Sequence, residues 1–311
     1  MDVYILTEGS KKVGFGHITR CISLYQAFEE RKIIPKLLVN GDSNVRIFLK
    51  GLNYQIFDWL KEKNETYKLL EKTDIVIIDS YLADLNFYKK ISKIVKTPVY
   101  IDDNKRLDYP SGIVVNGAIY AEELNYPQEE GITYLLGNKF LPLRKEFWYV
   151  PKKVINEKIK NILITFGGID DYGLSYKIKN KLNDKFNVFI VDPKKKRFTA
   201  RKMIGLMLKS DICISGGGQT TYELARCGVP TIGICFAKNQ IFNLKGGQKE
   251  GYLEFAGWYN DKNIFKKIEN NLTSLNYKKR VKMSMAGKNC VDGKGTRRIV
   301  TEILKIYEYK N

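Results

Sequence analysis

The chain carries one histidine, His17, and it stands directly after Gly14-Phe15-Gly16. Imidazole is the side chain that trades a proton near neutral pH without special tuning. Glycines ahead of it let the backbone turn tightly and approach a ligand, and a helix starting there offers free N–H groups to an anion. Extra positive charge is disfavoured at a helix start, so a histidine placed there is expected to act as a neutral base. The plain alternative is an imidazole that only packs or caps. The stretch is not a dinucleotide fingerprint, because Thr19 occupies the place of the third glycine.

A second stretch, Ser215-Gly216-Gly217-Gly218-Gln219-Thr220-Thr221-Tyr222-Glu223, follows an apolar run. A strand that ends in three glycines and opens into a hydroxyl-rich helix makes a cradle for a diphosphate, with N–H groups and hydroxyls toward the phosphate oxygens. Glu223, one turn into that helix, is placed to accept from ribose hydroxyls. A plain strand-to-helix turn needs one or two glycines, not three.

Three shorter motifs also sit where strands are expected to end. Gly167 and Gly168, in Thr165-Phe166-Gly167-Gly168-Ile169-Asp170, either admit a phosphate or form an ordinary turn. Asn239 and Gln240 can read sugar hydroxyls or acetamido groups. Asp79, in Ile78-Asp79-Ser80-Tyr81, either orients His17 or caps the next helix, and Tyr81 can bond a substrate.

These residues need a scaffold that brings strand ends together. Short apolar runs alternate with amphipathic stretches in both halves of the chain, the pattern of parallel α/β units. A proline-containing, charged segment from Gly137 to Lys160 interrupts the series. The expected architecture is two Rossmann-like domains, residues 1–155 and 156–311, facing across a cleft. The last helix, about 295–309, is a candidate to pack back on the first domain. Ligands of such sheets sit at the carboxyl ends of the strands.

Composition narrows the function classes. The 311 residues exceed one comfortable core. The five cysteines form no CxxC pair, and one histidine cannot complete a usual zinc site, so neither a metal nor a disulfide framework is expected. No apolar run suits a membrane span and the start lacks a signal-peptide pattern, so a cytoplasmic protein is expected. The formal charge of +19 fits a soluble lysine-rich surface, steering of an anionic substrate, or weak binding to an anionic surface. Basic residues interleaved with stacking aromatics are lacking, so nucleic acid is not an expected partner.

Taken in order, GFGH, IDSY, FGG-x-D, SGGGQTTYEL-ARCGVP and AKNQ resemble the UDP-2,4-diacetamido-2,4,6-trideoxy-β-L-altropyranose hydrolase (PseG) family of pseudaminic acid biosynthesis, over residues 1 to about 255. The likeness extends more loosely to the peptidoglycan N-acetylglucosaminyltransferase MurG and its GT-B fold. It implies release of UDP from a diacetamido sugar by C–O cleavage with inversion, without metal or cofactor. It also implies that His17 activates water, that Tyr81, Asn239 and Gln240 contact the substrate, and that Glu223 belongs to the UDP loop. Lys238 stands where relatives often carry an acidic residue, and the tail after about Leu275 has no counterpart in the pattern. A transferase of the same fold and a non-catalytic nucleotide-sugar sensor are the competing readings.

Overall fold

A computed structural model describes residues 1–10, 14–167, 170, 172–192 and 198–310. Gly168, one of the expected phosphate contacts, lies outside the described residues. The chain divides into two compact units, Met1–Lys145 with Lys294–Asn311, and Glu146–Gly293. The chain therefore changes unit after Lys145, earlier than residue 155, and the final segment is part of the first unit.

In the first unit seven strands form one parallel sheet: β1 (Val3–Gly9), β2 (Lys36–Gly41), β3 (Tyr54–Ile56), β4 (Ile75–Asp79), β5 (Thr97–Ile101), β6 (Gly112–Asn116) and β7 (Ile132–Leu136). Their order is β3-β2-β1-β4-β5-β6-β7. β4, β5 and β6 are buried at every residue, which explains their nearly continuous apolar sequences. The second unit has β8 (Asn161–Thr165), β9 (Asn187–Val191), β10 (Ile212–Gly216), β11 (Thr231–Cys235) and β12 (Leu253–Trp258), again all parallel, in the order β12-β11-β10-β8-β9. Ile162, Ile164, Ile212, Ile214, Ile232 and Ile234 from its three central strands build the core.

Each sheet reverses its direction of growth once. β1 pairs with β2 on one side and β4 on the other, and β8 likewise separates β9 from β10. At such a switch point the two following loops leave in opposite directions and open a crevice at the strand ends. His17 follows β1 and Asp79 ends β4; Gly167 follows β8 and Gly216–Gly218 begins at the last residue of β10. Both units thus present their motifs at the position the topology favours.

The helix Gly16–Glu29 lies on β1 through Ile18, Cys21, Leu24, Tyr25 and Phe28, all buried. This three-to-four spacing is a helix face. Gly9 is required beneath it, because a Cβ there would overlap Ile18. The last helix, Gly295–Lys310, buries Ile299, Val300 and Ile303 in the first unit. Thr296 Oγ1 meets Ser23 Oγ at 2.8 Å and accepts from Leu143 N–H at 3.1 Å. Farther along, Tyr307 donates to Asp74 at 2.9 Å. Among the described residues no helix is long and apolar enough to cross a membrane.

Asp74 ties that helix to the sheet and sets an acid limit on it. Burial raises its carboxyl, but the Lys96 ammonium, the Asp2 N–H and the Tyr307 hydroxyl outweigh it and bring the group down to about 2. A carboxyl depressed in the folded state stabilises above its unfolded value of about 4 and loses that contribution as pH falls toward 2. Acidification through this window is expected to raise amide exchange first at the end of the last helix. Uniform protection along the helix at pH 3 would contradict it.

Candidate active site

His17 is the second residue of its helix, 8% exposed, with Nδ1 2.6 Å from Asp79 Oδ1. Asp79 ends β4 and is fully buried. The next helix, Leu85–Ile94, is capped by Asp84, which accepts from Phe87 N–H at 2.7 Å. The capping alternative for Asp79 is therefore excluded, and its carboxylate faces the imidazole. In the tautomer that donates Nδ1–H to Asp79, the lone pair sits on Nε2, where a base needs it. Tyr81 stands edge-to-face against the ring, with centroids 4.5 Å apart and planes at 87°.

What keeps a bare carboxylate in the interior is Arg20, one helical turn after His17. Its Nε and NH2 hold the two oxygens of Asp79 at 2.5 and 2.6 Å, and its NH1 holds Asp103 Oδ1 at 2.6 Å. Burial raises the Asp79 carboxyl, but the Arg20 guanidinium and His17 outweigh it and hold it well below the usual carboxylate range. Burial likewise works against charge on Arg20, and Asp103 and Asp79 overcome it. Burial together with Asp103 pushes the Tyr81 phenol far above its ordinary value, so it stays protonated and donates to Asp103. Glu8, buried at the end of β1, accepts from the Tyr81 N–H at 2.8 Å and from Ser80 Oγ at 2.5 Å. Sequence reasoning missed Arg20, Asp103 and Glu8. The available signal was Arg20, three residues after a candidate base on the same helix face.

Ahead of the helix, Gly14 has a left-handed φ of +91° and Gly16 opens the first turn, and a Cβ at either would meet no atom within 4 Å. Phe15 supplies no side-chain cap to the helix. The turn thus exposes backbone close to His17.

The glycine loop of the second unit divides by role. A Cβ at Gly217 would lie 2.7 Å from Leu244 Cγ and 2.8 Å from Gln240 Cβ, so this glycine permits close packing. Its N–H donates to Gln240 Oε1 at 3.3 Å, and its carbonyl accepts from Asn243 Nδ2 at 3.1 Å. Gln240 also accepts the Phe236 N–H at 3.0 Å, so its oxygen braces two loops from the inside. Tyr222 donates to Asn243, a further brace that sequence reasoning missed. Gly218 has open space where a Cβ would stand. Gln219 and Asn239 are exposed, Thr220 is partly exposed and Glu223 is buried in the first turn of the helix Thr220–Cys227. Gly167 has φ +65° and no neighbour within 4 Å of a Cβ, while Asp170 accepts from the N–H groups of Leu174 and Ser175 at the next helix start.

A test separates packing from binding in this loop. Gly217→Ala is expected to lower stability by about 1–3 kcal/mol through overpacking, whereas Gly218→Ala leaves the urea midpoint in place. If Gly218→Ala destabilised the chain as much, the division of roles would be wrong.

Comparison with known proteins places this geometry among its relatives. No family model matches the chain. Over 268 residues it is 25% identical to the pseudaminic acid cytidylyltransferase and UDP-2,4-diacetamido-2,4,6-trideoxy-β-L-altropyranose hydrolase of Helicobacter pylori, covering 82% of this chain and 48% of that protein. It resembles a named UDP-sugar hydrolase. It is also 30% identical to an uncharacterized protein of Methanocaldococcus jannaschii, covering 75% of this chain and 55% of that one. The chain therefore spans about half the length of these two relatives. Against the spore coat polysaccharide biosynthesis protein SpsG of Bacillus subtilis it is 24% identical over 99% of both chains. Among solved structures, the MnaA–UDP complex of S. aureus superposes with a TM-score of 0.67 over 100% of this chain and 98% of that one, at 13% identity. A putative UDP-N-acetylglucosamine 2-epimerase from Listeria monocytogenes gives 0.66 at 13% identity, with the same coverage of both chains. At this identity the likeness shows the fold, which is GT-B.

Proposed function

We propose that the chain hydrolyses a UDP-linked 2,4-diacetamido-2,4,6-trideoxy hexose to UDP and the free sugar, with C–O cleavage and inversion, as a step toward a nonulosonic acid. The observation that carries this reading is the His17–Asp79 pair, a base and its orienting carboxylate at the switch point of the first sheet. The name of the Helicobacter pylori relative supplies the substrate class.

The chemistry needs one base. His17 Nε2 takes a proton from water as the water oxygen bonds to the anomeric carbon. The bond from that carbon to the β-phosphate oxygen breaks, and its electron pair leaves with UDP. A diphosphate is a good leaving group once its charge is balanced. Features suited to such balance lie in the second unit: most of the basic excess of the chain falls within Glu146–Gly293, and the open backbone at Gly167 and Gly218 suits phosphate oxygens. Displacement by a single base-activated water inverts the anomeric centre, whereas a retaining enzyme needs two closely spaced carboxylates beside the sugar.

The decisive experiment is proton NMR of the purified chain with a panel of UDP-2,4-diacetamido sugars. It is expected to show free sugar of inverted anomeric configuration, without an added acceptor. If UDP binds but no substrate turns over until an acceptor sugar is added, the transferase reading replaces this one.

A further inference from the structure

The contacts around His17 close on themselves. Arg20 divides three nitrogens between two carboxylates, with Nε and NH2 on Asp79 and NH1 on Asp103 Oδ1. The other oxygen of Asp103 accepts the Tyr81 hydroxyl, Tyr81 leans edge-to-face on His17, and His17 returns to Asp79. Asp79 has no exposed side-chain surface in this ring, whereas Asp103 keeps 28% of its own. Two different carboxylates hold Tyr81: Glu8 binds its backbone N–H, and Asp103 binds its hydroxyl. Losing Asp103 therefore frees the ring of Tyr81 while its backbone stays anchored.

We infer that Asp103 is a positioning residue for the reaction at His17, one that fixes the Tyr81 ring against the imidazole and makes the phenol oxygen an acceptor toward substrate. A phenol has one proton. Once that proton is committed to Asp103, the oxygen offers a ligand only lone pairs. It then suits an N–H or O–H donor, such as an acetamido nitrogen or a sugar hydroxyl. Tyr81 is 43% exposed, so a ligand has access to it. The inference rests on the hydrolytic reading for its substrate and on geometry alone for its ring.

His17 is the only histidine, so its two carbon-bound ring protons are the only imidazole lines in the proton spectrum of the full chain. Asp103→Ala is expected to displace both lines as the Tyr81 ring current is lost, and to lower kcat on UDP-2,4-diacetamido-2,4,6-trideoxy-β-L-altropyranose by about tenfold or more through misplacement. Tyr81→Phe, which keeps the ring and loses the hydroxyl, is expected to give the same displacement, and the double variant no more than either alone. It reads the same contact should Asp103→Ala fail to fold. Asp103→Asn keeps a hydrogen-bonding group opposite the phenol and recovers the imidazole lines. Lines of Asp103→Ala that coincide with wild type overturn the inference, as do effects of Asp103→Ala and Tyr81→Phe that add. Should the wild-type chain leave the UDP-sugar intact without an acceptor, the hydrolytic reading fails, while the imidazole lines, which need no substrate, still decide the role of Asp103.

Discussion

His17→Asn is expected to lower kcat by about three orders of magnitude while UDP affinity stays within about twofold of wild type, since general-base catalysis contributes roughly 10²–10⁴-fold. Asparagine approximates the imidazole in size and keeps a polar group toward Asp79, so the site is not emptied. It cannot take a proton. The residues proposed to hold the nucleotide belong to the second unit and do not include His17, so affinity and turnover should separate. Single-turnover NMR gives the first quantity and calorimetric titration with UDP the second. Unchanged turnover would remove His17 from the chemistry, and a parallel loss of UDP affinity would make it a binding residue.

The second large effect is expected for Asp79→Asn. The carboxylate is fully buried and makes three short contacts, two to Arg20 and one to His17. An amide there keeps the shape but presents an N–H to either the guanidinium or the imidazole, so one donor faces another. If it faces His17, the imidazole turns over to its other tautomer and Nε2 loses its lone pair. The expected loss in kcat is about 10³-fold, at most that of removing the base, since the carboxylate acts through His17. Stability also falls, by about 3–5 kcal/mol, because Arg20 loses half of its compensation. Urea denaturation measures the second effect, and nitrogen shifts of the single imidazole report the tautomer. The wild-type acid limit follows from the sign of the Asp79 shift. Its depressed carboxyl stays ionised, and its contribution to stability complete, above the ordinary unfolded value of about 4. An activity limb near pH 6 must therefore arise from another group. An Asp79→Asn enzyme with wild-type kcat would dispose of the orienting role.

The legible parts of the site were those with a local signature. A glycine-flanked histidine, a triple glycine and apolar runs of strand length are each visible within a dozen residues, and within each unit parallel topology then aligns the strand ends. Arg20 carries no such signature: it lies on an amphipathic helix where an exposed arginine is ordinary, and its partners are 59 and 83 residues away. Glu8 is a charge at the end of an apolar strand, and only the fold reveals that Tyr81 and Ser80 meet it. β12 has no clear local signature, because Glu254 and Gly257 break its apolar run, as an edge strand with an irregular register allows. Gln240 shows a second use that residue type does not reveal. Its type suggests a sugar contact, and its oxygen also accepts from Gly217 and Phe236, a brace that only three-dimensional neighbours reveal.

The return of the last helix to the first unit sets an order of assembly on the ribosome. The second unit is one unbroken segment, Glu146–Gly293, so all of its residues are synthesised before the last segment of the first unit. The first unit, although begun earlier, waits for Thr296 to reach Ser23 and Leu143 and for Tyr307 to reach Asp74. During synthesis the half proposed to grip the nucleotide is therefore complete before the half that carries the base.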